Sequence, residues 1–328
     1  MLLRRALILL TASTLALTAC GGGPAGDDLA LDAPAAFSDQ SADGEALANA
    51  WFALLARTGS GTGTAEVSPE AVARAVELVK PYLDQAFQLQ RATGQRYTRE
   101  NYVPSDIDEF EISNLIVTEP RDGLKVLRFA ISTPGATTPD SGMVMSDDLQ
   151  PRLTVVRWDE ELDRWLIVSH ANFNTPVQAV CNQEPIILEF EEVSTSEEDQ
   201  ELGETLARTW FSLLVAGDGS PLLNPQVQGQ SAGGSGYSTS AEYKPGQMKA
   251  AELSDFVVTR NGDLLVVTLG VSAEGTVYAG STKLGTKTNP RVLTFLQDDQ
   301  GEWSLIATAT FNPPADIPAG VECAVSTN

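Results

Sequence analysis

The 328-residue chain has one histidine, three cysteines, and 21 lysines and arginines against 44 aspartates and glutamates, giving a formal net charge of −23. Each scarcity excludes something. Without basic runs the chain cannot displace counterions from phosphates, so nucleic acid is no partner. The same acidity opposes adsorption to anionic lipid surfaces. One His and three Cys leave little for a transition-metal site, and no zinc spacing occurs. A Gly-x-Ser-x-Gly elbow and a phosphate loop ending in Gly-Lys-Ser/Thr are missing too, so no metal and no cofactor are expected. What is present is an ordinary apolar fraction of 42% and a length that suits two domains.

The leader is legible. Arg4-Arg5 precede a twelve-residue apolar stretch, Ala6 to Leu17, too short for the ~20 residues of a membrane span but suited to a cleaved export signal. Leu17-Thr18-Ala19-Cys20 resembles the lipobox of bacterial lipoproteins; the alternative is an ordinary signal peptide that contains a cysteine. The resemblance implies a signal peptide over 1–19 and a lipidated Cys20 as the new N-terminus. The partner is then the membrane itself, with about 0.8 kcal/mol of affinity per buried methylene. Gly21, rather than Asp, after the cysteine resembles sorting to the outer membrane of the cell envelope. Residues 20–42, rich in Gly, Ala and Asp, read as a flexible tether. Export would place Cys181 and Cys323 in an oxidising compartment. A bridge between them would contribute about 4–5 kcal/mol in the chain-entropy model; two separate thiols are the other outcome.

The chain is written twice. Leu47-Ala48-x-x-Trp51-Phe52-x-Leu54-Leu55 recurs as Leu206-Ala207-x-x-Trp210-Phe211-x-Leu213-Leu214. Gln88-x-Gln90-x-Ala92-x-Gly94-x-x-Tyr97 recurs as Gln228-x-Gln230-x-Ala232-x-Gly234-x-x-Tyr237. Tyr102-x-Pro104 recurs as Tyr243-x-Pro245, Glu111-x-Ser113 as Glu252-x-Ser254, and the segment Trp165–Pro176 as Trp303–Pro314. Five collinear blocks establish a duplication.

Within each copy, Leu47, Trp51, Leu54 and Leu55 fall at helical spacing. Ser196 followed by acids predicts a helix start, and Gly217 and Gly219 its stop. Matches at every second residue from Gln88 to Gly94 predict a strand with both glutamines on one face. Strands are expected over 110–118, 124–132, 153–158 and 165–173, with turns at Asp122-Gly123 and Asp159–Asp163. Alternation puts His170 with Val168 and Asn172, opposite Trp165, Ser169, Ala171 and Phe173. The first copy holds a longer insert in which Ser68-Pro69-Glu70 predicts an extra helix, lined by Val72, Val76 and Val79 and ended by Pro81. Asp106, Asp108 and Glu109 are expected to face water near a short helix end. These readings give an α+β class: two tandem domains, 43–181 and 197–323, each with N-terminal helices on a curved, mostly antiparallel β-sheet. An acidic linker over 182–196 joins them.

The helix-then-sheet order, opened by Trp-Phe-x-Leu-Leu and closed by Trp165-Leu-Ile-Val-Ser-His-Ala-Asn-Phe-Asn174, resembles the nuclear-transport-factor-2-like superfamily, with bacterial SnoaL-like and related exported domains nearest. The resemblance implies cone-shaped domains with a pocket between sheet and helices. It also implies that the two copies pair by their other sheet faces as an internal pseudo-dimer. Some of that superfamily are isomerases, dehydratases and cyclases; others only bind ligands or partner proteins. No catalytic motif aligns, so no catalytic residue is carried over.

Candidate ligand-binding residues follow from residue type. His170 is the only side chain with an ordinary pKa near neutrality, and its role depends on which sheet face it occupies. Arg91, Tyr97 and Tyr102 could orient a carboxylate or carbonyl, although the recurrence of Tyr102 as Tyr243 also suits core aromatics. The repeated amides Gln88, Gln90, Gln228 and Gln230 suit pocket hydrogen bonding or a polar interface, and Tyr237 repeats Tyr97. The expectation is a lipid-anchored, non-catalytic protein binding a small apolar ligand or an envelope protein. The alternatives are a cofactor-free isomerase or dehydratase using His170 or Tyr97, and a structural component whose cones are filled.

Overall fold

The computed structural model describes residues 34–58, 68–179, 186–190, 195–244, 248–274 and 288–311. The leader, Cys20, Cys181 and Cys323 lie outside them.

The first repeat contains α1 (Gly44–Thr58), α2 (Pro69–Val79), β1 (Leu83–Arg91), β2 (Arg96–Thr98), β3 (Glu111–Arg121), β4 (Leu124–Ser132), β5 (Thr137–Thr138), β6 (Met143–Met145), β7 (Gln150–Asp159), β8 (Arg164–Asn172) and β9 (Pro176–Ala179). The second contains α3 (Glu197–Ala216), β10 (Leu223–Ser231), β11 (Gly236–Tyr237), β12 (Ala250–Asn261), β13 (Leu264–Glu274), β14 (Asn289–Gln297) and β15 (Trp303–Thr310). The main sheets have the same order, β2-β1-β8-β7-β4-β3 and β11-β10-β15-β14-β13-β12. Within each, only the β1–β8 or β10–β15 pair is parallel. A small third sheet, β5-β6-β9, belongs to the first repeat.

Local chemistry sets these boundaries. Ser68 Oγ accepts from the Ala71 amide at 3.2 Å, with Pro69 in the first turn of α2. Ser196 Oγ accepts from the Asp199 amide at 3.1 Å to cap α3, and Gly217, at φ 83°, closes that helix in the left-handed region. Matching bulges interrupt the edge strands β3 and β12, where Asn114 and Asp255 take φ values of 54° and 53°. Short polar side chains tolerate that region best among non-glycines.

Each sheet has one face covered by its own helix. Trp51, Phe52, Leu47 and Leu55 of α1 pack with Phe87, Leu127, Phe129, Trp165 and Ile167. Trp210, Phe211 and Leu206 of α3 pack with Val258, Val267, Leu293 and Phe295. The opposite faces pack on each other: Leu124, Val126, Leu153, Val155, Val168 and Phe173 meet Leu264, Val266, Val292, Leu296, Ile306 and Phe311 in one cluster. Phe173 and Phe311, which end the two repeats, stack with ring centroids 4.3 Å apart at 18°.

Four expectations are corrected. Residues before 43 take part in the fold: Ala35–Ser38 form a 3-10 turn, Phe37 is buried against Tyr82, and Trp165 Nε1 donates to the Asp39 carbonyl at 2.9 Å. An aromatic side chain among the Gly and Ala of the tether gives it something to bury. The linker also carries apolar residues that dock, for Ile186 packs with Val72, Val76 and Val103, and its amide donates to the Pro139 carbonyl. Residues 101–110 form no helix; Asp106 instead exchanges backbone hydrogen bonds with Thr137. Finally, the pairing of β7 with β8 shifts between Val155–Ser169 and Val156–Ile167. That bulge inserts Val168 and breaks the alternation. Trp165, Ile167 and His170 therefore face the helix, whereas Val168, Ser169, Ala171 and Phe173 face the second repeat.

Candidate functional site

Two adjacent rungs of the first sheet carry the polar groups of its helix-covered face. In one rung Phe129, Arg152, Asn172 and Arg91 lie side by side on β4, β7, β8 and β1. In the next, Leu127, Thr154, His170, Leu89 and Tyr97 do the same across five strands. Paired residues on neighbouring strands share a face, so the register gathers Arg91, Tyr97, Arg152, Thr154 and His170 under α1.

Arg91 is 1% exposed and held on several sides. Its Nη1 donates to Tyr97 Oη at 3.1 Å and to Asp140 Oδ1 at 3.0 Å, and its Nη2 to the Val103 carbonyl at 2.8 Å. Tyr97 hydroxyl donates to the other Asp140 oxygen, and the guanidinium sits 4.7 Å from the Tyr97 ring centroid. Burial works against the Arg91 charge, but Tyr97 and then Asp140 outweigh it and raise its pKa. Burial also raises Tyr97 and Tyr102 well above the usual phenol value. The turn between β5 and β6 delivers Asp140, so the small third sheet supplies the counter-charge.

His170 is buried, with Nδ1 2.8 Å from Thr154 Oγ1 and its ring 6.2 Å from Trp51 and 6.1 Å from Phe52. Burial, then the charges of Arg152 and Arg91, hold its pKa well below the ordinary value. Both effects disfavour the imidazolium. Arg152 is 1% exposed as well. Its side chain makes one hydrogen bond, from Nη1 to the Pro151 carbonyl at 2.8 Å, and its Nε has no partner. Burial pulls its pKa down to about 9, opposed by Tyr102.

The remaining candidates divide by location. Tyr102 stacks on Trp51 at 6.4 Å and meets Phe87 and Tyr97 edge-on, as a core aromatic. Tyr243 packs likewise on Trp210 and Tyr237 in the second repeat. Gln88 and Gln228 line neither helix-covered face. Gln88 Nε2 donates to the Val257 and Val266 carbonyls and to Thr259 Oγ1 of the second repeat. Gln228 Nε2 donates to the Ile116 and Val126 carbonyls and to Thr118 Oγ1 of the first. Placing these two in a ligand pocket is corrected, because they sit on the strand faces turned toward the other sheet. Gln90 and Gln230 bind their own hairpins, donating to the carbonyls of Arg91 and Gln95 and of Ser231 and Ser235. Gln230 also edges an open groove of about 370 Å³ between the repeats, lined by Asn114, Arg128, Phe129 and Pro151.

The second repeat keeps only part of these rungs. Ser231, Thr308 and Leu293 stand where the first has Arg91, His170 and Thr154; Tyr237 repeats Tyr97, and Arg291 repeats Arg152, donating to the Pro290 and Phe311 carbonyls. Arg152 and Asp140 were not among the sequence candidates. A signal for the former existed, since Pro151-Arg152 recurs as Pro290-Arg291. Asp140 had none, because 49 residues separate it from Arg91.

No family model and no curated protein matches the chain. Solved structures do. An NTF2-like protein from Cytophaga hutchinsonii is similar at 15% identity and a TM-score of 0.30, covering 36% of this chain and 99% of its own. One from Rhodospirillum rubrum, described as of unknown function in nutrient uptake, matches at 22% identity and 0.29, covering 35% and 98%. A protein from Parabacteroides distasonis, provisionally named a ketosteroid isomerase, matches at 12% and 0.28, covering 37% and 93%.

Proposed function

We propose that this chain is a non-catalytic binding lipoprotein of the bacterial envelope, anchored to the outer membrane through Cys20, whose first cone holds a small ligand. The second cone is its fused counterpart. What carries the reading is that the first repeat buries Arg91 and His170 beside Arg152, where the second has Ser231 and Thr308 beside the matching Arg291. The apolar outer faces of both sheets pack on each other, and the buried polar groups lie on the helix-covered face of the first. An isomerase or dehydratase is disfavoured by the hydrogen bonding. Acid–base work needs a group that titrates near the working pH, yet both Asp140 oxygens are engaged by Arg91 and Tyr97, and burial holds His170, paired with Thr154, well below its ordinary pKa.

Native mass spectrometry of residues 21–328, purified gently from the native envelope, tests the binding claim. One molecule of a small compound per chain, released on denaturation, is expected; a chain that emerges bare overturns it. The anchor is tested by the mass of the N-terminal peptide, which should begin at an acylated Cys20, and by Cys20→Ser, which should free the chain from membranes. A bridge between Cys181 and Cys323 would leave the mature chain without thiols that react with alkylating reagents before reduction.

A further inference from the structure

We infer that the first cone takes a small organic anion, a carboxylate on a compact apolar body, and that Arg152 is the residue that binds it. This rests on the reading of that cone as a ligand compartment. Two guanidiniums, Arg91 and Arg152, are buried on one rung of the sheet, on either side of Asn172, and the carboxylate of Asp140 pairs with Arg91. Asp140 is committed to Arg91 and Tyr97. His170 Nδ1 is hydrogen-bonded to Thr154 Oγ1, and burial beside Arg152 and Arg91 disfavours its charged form. Among the described residues no carboxylate pairs with Arg152, within a chain whose net charge is −23.

Unpaired charges are rarely kept in such places, because an apolar residue of similar size avoids the desolvation cost. Arg152 is not explained by its backbone contact, which occupies only one of its five N–H donors. Its Nε is buried without a partner, and that nitrogen lies on the fork that matches a carboxylate in two parallel hydrogen bonds. Arg291, at the same register and also buried, donates Nη1 to two carbonyls, those of Pro290 and Phe311, where Arg152 reaches one. The surroundings specify the rest of the ligand: Phe129 is paired directly with Arg152 across the sheet, and the rings of Trp51, Phe52 and Tyr102 enclose the neighbouring His170 and Tyr97. An inorganic anion would meet these rings with nothing to offer them.

The test uses the mature chain with benzoate and hexanoate as probes, and benzamide and hexanol as their uncharged counterparts, in calorimetric titration and thermal unfolding. The carboxylates are expected to bind one per chain and to raise the unfolding temperature in proportion to the logarithm of their concentration. The uncharged analogues should bind at least tenfold more weakly. Arg152→Met should abolish the carboxylate response while unfolding at or above the wild-type temperature without ligand, since it removes a buried charge that pairs with no carboxylate among the described residues. Arg152→Lys, which keeps the charge and the fold but loses the fork, should weaken binding tenfold or more. Arg208→Met, on the exposed side of α3, alters net charge equally and should change nothing. Equal binding of acid and amide, retention of affinity in both Arg152 variants, the same response to phosphate or chloride, or no binding of either carboxylate overturns the inference. If native mass spectrometry then finds a neutral molecule, the binding reading survives without it; a bare chain there removes both.

Discussion

Gln88 and Gln228 occupy equivalent places in the two repeats, and each buries its amide in the sheet of the other. The three acceptors of Gln88, Val257, Thr259 and Val266, are the counterparts of Ile116, Thr118 and Val126, which receive Gln228. The carbonyl ends differ: Thr268 Oγ1 donates to Gln88 at 2.6 Å, and Arg128 Nε to Gln228 at 3.4 Å. Two apolar sheet faces can slide or flip over one another, whereas an amide that must meet two carbonyls and a hydroxyl fixes their register.

Gln88→Ala should therefore be costly without touching either helix-covered core. It strips buried carbonyls and Thr268 of their partner, for which about 2–4 kcal/mol is expected. Equilibrium denaturation in urea reads this directly, and a midpoint equal to that of wild type would show that the apolar contacts alone join the repeats.

His170 makes the fold sensitive to mild acid. Its pKa in the folded chain is depressed by burial and by Arg152 and Arg91, so below the unfolded value of about 6.5 the unfolded chain binds a proton that the folded chain does not. Stability attributable to this residue is complete above that pH and falls by up to about 1.4 kcal/mol per unit as pH drops toward the folded pKa. His170→Gln should flatten the stability profile between pH 7 and 5 relative to wild type. Parallel profiles would place a charged imidazole in the fold.

The pair Arg91–Asp140 should behave as one unit. Asp140→Asn leaves the Arg91 guanidinium buried beside a neutral amide and should cost about 3–5 kcal/mol. Tyr97→Phe, which removes a single hydroxyl, should cost about 1–2 kcal/mol. Adding Arg91→Met to Asp140→Asn should recover part of the loss, and a double-mutant cycle measures the coupling. Additive losses would mean that the two side chains act separately.

Close helix–sheet approach supplies a further check. A Cβ on Gly203 would lie 2.5 Å from Val258 Cγ1, and one on Gly44 would lie 2.4 Å from Val117 Cγ2. Alanine favours a helix over glycine by up to about 1 kcal/mol, but the clash here, about 1–3 kcal/mol, should win. Gly203→Ala is expected to lower the unfolding temperature, and a rise would show that α3 moves away freely.

These residues also mark how far the sequence could be read. The repeat, the capping of α2 by Ser68 and of α3 by Ser196, and the helix-then-sheet order all rest on local spacing, which survives folding. Gly44-Glu45 and Gly203-Glu204 extend the first repeated block, although Gly44 opens α1 and Gly203 lies within α3, because both glycines let the helix approach the sheet closely. The face of His170 depended on a one-residue bulge at Val168, and strand alternation carries no mark of a bulge. The polar ladder was only half visible. Arg91 and Tyr97 stood out by type, whereas the roles of Asp140 and Arg152 are set by what lies across the sheet. Gln88 was legible as unusual, but whether its face met a pocket or another sheet is a property of the packing between repeats.

That packing has an evolutionary consequence. In a dimer of identical chains every substitution appears on both sides of the axis, so a buried arginine acquired for one interior is imposed on the other. Covalent fusion lifts that constraint. One half can retain Ser231 and Thr308 as inexpensive filling while its twin specialises with Arg91 and His170, and the shared seam of Phe173 and Phe311 keeps the plain half employed as the wall against which the specialised one stands.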